Sequence, residues 1–442
     1  MDHGDWAAYL TAEECVFAGV REKVIGKLTQ DEPNELNRYL DGSRVFPAHF
    51  SQDWNRSYIL EPTGPPRGAA VLLHGLTDSP YSLRHLARLY AAHGFVSLAI
   101  RLPGHGTVPA GLTEVGWQDW LAATRLAMRE ARRRVGPTAP IHLVGYSNGA
   151  ALALIYALDA IDDQSLAQPA RIVLISPMVG VTRFARFAGL AAIPAILPAF
   201  AKAAWLSILP EFNPFKYNSF PVNAARQSYL LTQALQESIR THASAGRLTD
   251  FPRVITFQSV VDFTVSARSV VTALHAQLVQ GSSELVLFDI NRNTKLGPLL
   301  SESADQALTR LLPAAPRPFR TTIIANRNAD EADVEERMID AGNTEERVRP
   351  LGLAYPRGVY SLSHVALPFP VSDGLYGLEP SQGAAEDFGV RLGMATGRGE
   401  RGALSVSLDT VTRMSSNPFF PYLAQRVEEG LPPLPAGAPQ PD

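Results

Sequence analysis

Cysteine is nearly absent from this chain, with one residue, Cys15, in 442. That excludes an internal disulfide, and a position far upstream of any motif makes Cys15 a buried or idle thiol rather than a nucleophile. No Cys/His cluster has the spacing of a zinc site, so neither a metal nor another cofactor is expected. A charge excess of one sign is missing too: 40 Lys and Arg stand against 43 Asp and Glu, for a net charge of −3. That balance gives no reason to expect nucleic acid or an anionic membrane as a partner. The opening Met-Asp-His-Gly-Asp-Trp has neither a basic n-region nor an apolar h-region, which predicts no signal peptide and a cytoplasmic protein. Long uninterrupted apolar runs are lacking as well. The strongest, Phe187 to Leu209, holds Pro194, Pro198 and Lys202. Two prolines and a lysine argue against a span of about 20 apolar residues and for kinked helices over a pocket mouth. The lesser reading of that run is a weak interfacial contact with lipid.

What is present is globular material, 46% hydrophobic and 19% charged, able to bury a large core. Residues 1–56 read as an amphipathic lead-in (Trp6, Tyr9, Leu10, then Val16, Val20, Val24) packed outside the core. From Ser57 the chain alternates. Apolar runs at Ala69–Leu73, Phe95–Ile100, Ile141–Val144 and Arg171–Ser176 read as strands buried on both faces. Helical periodicity lies between them, at Tyr81–His93 and Trp117–Val135, and Arg132 to Arg134 close the latter where the helix dipole favours cations. This order predicts an α/β fold with a mostly parallel sheet flanked by helices. The alternation fails over 178–250, read as a helical cap, and resumes with strands at Val254–Phe257 and Glu284–Asp289 and a helix at Ala267–Val279. Residues 291–355 form a second insertion. Its acidic stretch Asp330–Glu346, with Arg337 and Arg347 interspersed, predicts a solvated helix with i,i+4 pairs. Its Thr321–Ile324 is β-branched enough to add a strand at the sheet edge. The core then comprises 57–177, 251–290 and 356–430, with a final helix at Phe419–Glu429 and a Pro-rich tail at 431–442.

Gly145-Tyr146-Ser147-Asn148-Gly149 sits between the strand at Ile141 and an Ala/Leu helix. A Gly-x-Ser-x-Gly in that strand–turn–helix context holds a serine hydroxyl in a sharp turn, where an adjacent base can activate it. The glycines remove β-carbons that would clash across the turn. Ser147 is therefore the candidate nucleophile.

Together with His74-Gly-Leu-Thr-Asp-Ser-Pro80 and Leu102-Pro-Gly-His-Gly106, this pentapeptide resembles the α/β-hydrolase superfamily. More narrowly the chain is similar to its monoglyceride lipase and lysophospholipase branch. The resemblance implies an α/β-hydrolase fold with a cap, and an acid and a base that follow the serine in the chain. The second insertion before the base departs from the family's pattern, which bridges acid to base with one helix and one strand. Of the downstream histidines, His242 ends the cap and His275 lies in a helical pattern, while His364 lies in an irregular Ser-Leu-Ser-His-Val segment that can present a ring. The family pattern favours His364 as base. It favours Asp262 as the acid that orients it, with Asp289 as the rival. By the same resemblance Leu76 and Asn148 supply the backbone N–H donors for an oxyanion, and His74 and His105 are turn residues.

The expected activity is hydrolysis of a small hydrophobic ester through an acyl-serine, in a serine carboxylesterase or lipase. Ile193, Leu197, Trp205 and Leu206 of the cap are the candidate pocket residues. A thioesterase, an amidase, a cofactor-free haloperoxidase and a non-catalytic binding protein are the alternatives.

Overall fold

The computed structural model describes residues 4–28, 36–180, 204–294, 306–393 and 413–434. Ten strands form one sheet: β1 Tyr58–Leu60, β2 Gly68–Leu73, β3 Phe95–Ile100, β4 Ile141–Tyr146, β5 Arg171–Ile175, β6 Arg253–Ser259, β7 Ser283–Phe288, β8 Arg320–Asn326, β9 Asp333–Ile339 and β10 Glu346–Ala354. Their spatial order is β1-β3-β2-β4-β5-β6-β7-β8-β9-β10. From β3 to β8 every pairing is parallel. β1 at one edge, and β9 and β10 at the other, run antiparallel to their neighbours.

Strand β2 shows why its sequence is apolar throughout. Ala69, Val71 and Leu73 pack into a core formed with α3 (Trp117–Val135), α4 (Asn148–Asp162) and α5 (Val222–Ser244). Ala70 and Leu72 face the opposite way, onto α2 (Arg84–Ala92) and α6 (Phe420–Glu428). A strand covered on both faces has no polar side, so a period-2 alternation of polarity never arises.

The N-terminal helix, Trp6–Lys23, does not lie wholly outside this core: Trp6 and Tyr9 join the cluster that holds α3 and α4, and its buried stripe differs from the expected one. Trp6, Tyr9, Glu13 and Phe17 are buried, whereas Leu10 and Val16 are exposed. Glu13 turns inward because Arg101, itself buried, meets its carboxylate at 2.8 Å. Cys15 is exposed.

On the α2 face the chain downstream of residue 364 is pinned by charge. Arg84 and Asp373 are both fully buried and meet at 2.6 Å. Asp373 also accepts from Tyr81 Oη at 2.9 Å and from the backbone N–H of Leu375 and Tyr376 at 2.9 and 2.8 Å, and contacts His85 Nε2 at 2.9 Å. Glu386 takes the other arm of Arg84. Burial opposes the charged form of Asp373, yet Arg84 and His85 hold its carboxyl far below the usual range.

The acidic stretch is not a helix. Residues 333–339 and 346–354 are strands β9 and β10, and the charges that suggested i,i+4 pairs are partnered across strands: Glu336 with Arg349 at 2.9 Å, and Asp340 with Arg347. Thr321–Ile324 does form a strand, β8, but β9 and β10 lie outside it, so it is not the edge. In the Phe187–Leu209 run, residues 181–203 lie outside the described residues. Trp205–Ser207 is a short strand paired with Phe220–Pro221 rather than helix. The helix expected at Ala267–Val279 is one α-turn, Ala267–Ser269, followed by a π-helical turn, Val270–His275. Among the described residues no helix is long and apolar enough to cross a membrane.

Candidate active site

The turn between β4 and α4 is built as its sequence demands. Ser147 sits at φ 52° and ψ −112°, a conformation a non-glycine residue seldom adopts. A Cβ at Gly149 would lie 1.9 Å from the Leu73 carbonyl oxygen, and one at Gly145 would lie 2.4 Å from Cα of Ala150. Both glycines are therefore required by contact. The N–H of Ser147 donates to Ile175 O at 3.0 Å, which fixes the elbow against the end of β5.

Asp262 follows β6. Its Oδ1 accepts from the N–H groups of Thr264 and Val265 at 2.9 and 3.1 Å. His364 follows a two-residue strand, Ser361–Leu362, which Ser259 ties to the end of β6 by donating to Leu362 O at 3.0 Å. Asn291, beyond β7, holds the approach to this segment by donating to Val359 O at 2.7 Å. These supports bring three side chains into line. His364 Nε2 lies 3.0 Å from Ser147 Oγ, and His364 Nδ1 lies 2.8 Å from Asp262 Oδ2. All three residues are buried. The Tyr146 ring stacks on the imidazole with centroids 5.6 Å apart.

The other candidates fall elsewhere. Asp289 is at the end of β7 with Arg292 at 3.9 Å, while Nδ1 of His364 is taken by Asp262. His242 contacts Ser238 O and Asp162 in the last turn of α5. His275 bridges Ser283 and Thr256 at 3.0 Å each, and burial pushes it down to about 3. His74 accepts from Leu102 N at 3.0 Å and contacts Gly75 O at 2.9 Å, and burial together with His105 holds it well below its ordinary value. His105, in the Gly-His-Gly turn, is likewise pushed down by burial, to about 4.

A cavity of about 470 Å³ opens on Ser147 and His364. Leu76, Met178, Leu206, Phe220, Val265 and Val365 give it apolar walls, and Thr77, Lys216, Ser228 and Thr264 add polar ones. Of the pocket residues expected from sequence, Leu206 lines this space. Trp205 is not among its lining residues, and Ile193 and Leu197 lie outside the described residues. Leu76 is at the cavity, and Asn148 opens α4, so its N–H has no acceptor within the helix. Lys216 escaped notice in the sequence because it sits in the cap, whose residues carry no period that places them. Asp78, one residue beyond Thr77 of the cavity wall, has its carboxyl raised by burial, against the pull of Lys216 and His364. Among the described residues no group of three or more His, Cys, Asp or Glu side chains gathers as a metal site.

Residues 70–289, just under half of the chain, match the model of the alpha/beta hydrolase family. Over 87 residues the chain is 33% identical to a thermostable monoacylglycerol lipase of Bacillus sp. (strain H-257), a stretch covering 20% of this chain and 34% of that one. The match thus spans about a third of the relative's length. Similar solved structures include a protein from a study of the metagenome-derived lipolytic enzymes LipS and LipT, at 21% identity and TM-score 0.43, covering 54% of this chain and 88% of that one. A soluble variant of monoglyceride lipase from Saccharomyces cerevisiae is similar at 13% identity and TM-score 0.40, covering 52% and 81%. The chain has the α/β-hydrolase fold, its residues 70–289 match the alpha/beta hydrolase family, and over 87 residues it is similar to a monoacylglycerol lipase.

Proposed function

We propose that the chain is a serine carboxylic-ester hydrolase working through an acyl-serine intermediate. The observation that carries this reading is the contact line Ser147–His364–Asp262, at 3.0 and 2.8 Å, drawn from three separate parts of the chain. In this mechanism His364 Nε2 takes the proton from Ser147 Oγ as the oxygen attacks the ester carbonyl. Asp262 holds the ring in the tautomer that leaves Nε2 free to accept and stabilises the imidazolium. The N–H groups of Leu76 and Asn148 receive the developing oxyanion. The imidazolium then protonates the departing alcohol, and water attacks the acyl-serine with His364 again as base. The cavity's volume falls within the usual range for small-molecule sites, and its largely apolar walls suit a hydrophobic acyl chain. The matching monoacylglycerol lipase supports the same substrate class.

The test is a series of p-nitrophenyl esters from acetate to palmitate, run with wild type and Ser147→Ala, with an acyl thioester and an anilide of the same chain in parallel. Turnover of esters that vanishes in Ser147→Ala, with fluorophosphonate labelling of Ser147, is the expected result. Equal rates in the two proteins would refute the serine mechanism. A preference for the thioester or anilide would reassign the substrate bond.

A further inference from the structure

Asp262 has a fourth donor that the mechanism above does not use. Gln258, next to last in strand β6 before the acid's loop, is fully buried and its Nε2 lies 2.8 Å from Asp262 Oδ2. That is the same oxygen that meets His364 Nδ1. A carboxylate only accepts, so the amide must present its NH2 end there. Its Oε1 is left buried without a hydrogen-bond partner among the described residues. A buried carbonyl oxygen left unsatisfied is costly, and that cost is met because two acceptors call for the NH2 end, Asp262 Oδ2 and, at 3.2 Å, the Ser259 carbonyl.

We propose that Gln258 is a positioning residue for the reaction: its amide, held in the sheet, fixes Asp262 Oδ2 toward the imidazole and draws off part of the charge that His364 would otherwise receive. This rests on the Ser147–His364–Asp262 reading above. Thr264 and Val265 secure only Oδ1. Of the two donors seen at Oδ2, one is Gln258 and the other is the histidine that the carboxylate is meant to orient. The electrostatic part has a definite sign. Two donors sharing one oxygen each receive less of its charge, so losing Gln258 strengthens the hold of Asp262 on a protonated His364. The acidic limb of the pH–rate profile then moves to higher pH. Other charged or titratable groups near this pair include Tyr146 stacked on the imidazole, Lys216 at the cavity, Asp78, and Asp289 with Arg292 beyond β7, and none of them changes in the experiment.

The experiment measures kcat, KM and the pH profile of kcat/KM for p-nitrophenyl acetate in Gln258→Met, which keeps the side-chain volume. Asp262→Asn and the double variant are measured beside it, with melting temperatures. Gln258→Met should lose about tenfold in kcat with KM within about twofold, and its acidic limb should rise by about half to one pH unit, the scale of one hydrogen bond. In the Asp262→Asn background the same change should have no further effect, because the carboxylate it acts through is gone. Gln258→Glu provides a second readout should the methionine variant misfold. Protonated, it still donates to Oδ2; ionised, it faces a carboxylate, so its rate should fall as pH rises, where that of the wild type climbs. An unmoved acidic limb, or an equal loss in both backgrounds, would overturn the positioning role while leaving the serine mechanism standing, provided Asp262→Asn still costs about 10⁴-fold. An active Asp262→Asn would overturn both.

Discussion

Two kinds of strand share the sheet. Those from β2 to β7 are buried almost without interruption and run parallel, and three of them lead to the site: β2 to Leu76, β4 to Ser147 and β6 to Asp262. At the rim, β9 and β10 run antiparallel, carry charge on nearly every other residue, and β10 is exposed along most of its length. The carboxyl ends of parallel strands converge on one side of the sheet, so side chains placed there can act together. A rim hairpin has no such end. It covers the flank of β8 and brings the chain back toward the segment that bears His364.

If that division holds, the largest losses come from the parallel part. Ser147→Ala should fold normally and lose about 10⁶-fold in turnover. Asp262→Asn should lose about 10⁴-fold, and Asp289→Asn little beyond stability. The reverse ranking of the two aspartates, measured by kcat on a single ester, would move the acid to the neighbouring strand. A substantial effect on folding should follow from Arg84→Met. It strands the buried Asp373 carboxylate, a change of about 3–5 kcal/mol read from the denaturant midpoint.

Protons should act on the same buried interior. His85 and His105 are pushed down to about 4, and His142 and His275 to about 3, in each case by burial first. Each binds a proton more readily in the unfolded chain, near its ordinary value of about 6.5. Stability therefore declines as pH falls below about 6.5, by up to about 1.4 kcal/mol per pH unit for each such group. Asp373, whose carboxyl is depressed, adds a further loss once pH drops below about 4. Unfolding curves that do not shift between pH 7 and 5 would contradict the buried, neutral state of these rings.

The smallest effect should come from the rim. Arg347→Ala removes one exposed partner of Asp340 and should cost no more than about 1 kcal/mol, with acetate-ester turnover within about threefold. A large loss of turnover there would erase the contrast between the two parts of the sheet.

The same contrast decides what could be read from the residues alone. Ala69–Leu73 and Phe95–Ile100 announce themselves because a strand covered on both faces must be apolar at every position. Ser147 is legible because its two glycines fall within five positions between an apolar strand and an Ala/Leu helix, even though the clash that demands Gly149 comes from Leu73 on another strand. The rim defeats that logic. Asp330–Glu346 carries opposite charges at helical spacing, and spacing alone does not tell an i,i+4 pair from a cross-strand pair such as Glu336–Arg349. Gln258 was invisible for a different reason. A buried glutamine in an apolar strand reads as an ordinary polar interruption until the carboxylate it serves is located. On the N-terminal helix, Glu13 is inside because of Arg101, a partner 88 residues away that no helical period reveals.

The distance along the chain between the acid and the base has a temporal meaning. Asp262 and His364 are 102 residues apart, and the segment just beyond the histidine is anchored only when Asp373 reaches Arg84 on α2. At about 5–20 residues per second of synthesis, the acid precedes the base by roughly five to twenty seconds and the nucleophile, 217 residues before it, by about ten to forty. On the proposed mechanism the elbow exists through that interval without a group to activate it, so a nascent or truncated chain should be silent toward esters. Hydrolysis would then begin with the docking of the last part of the fold, and its onset would time that event.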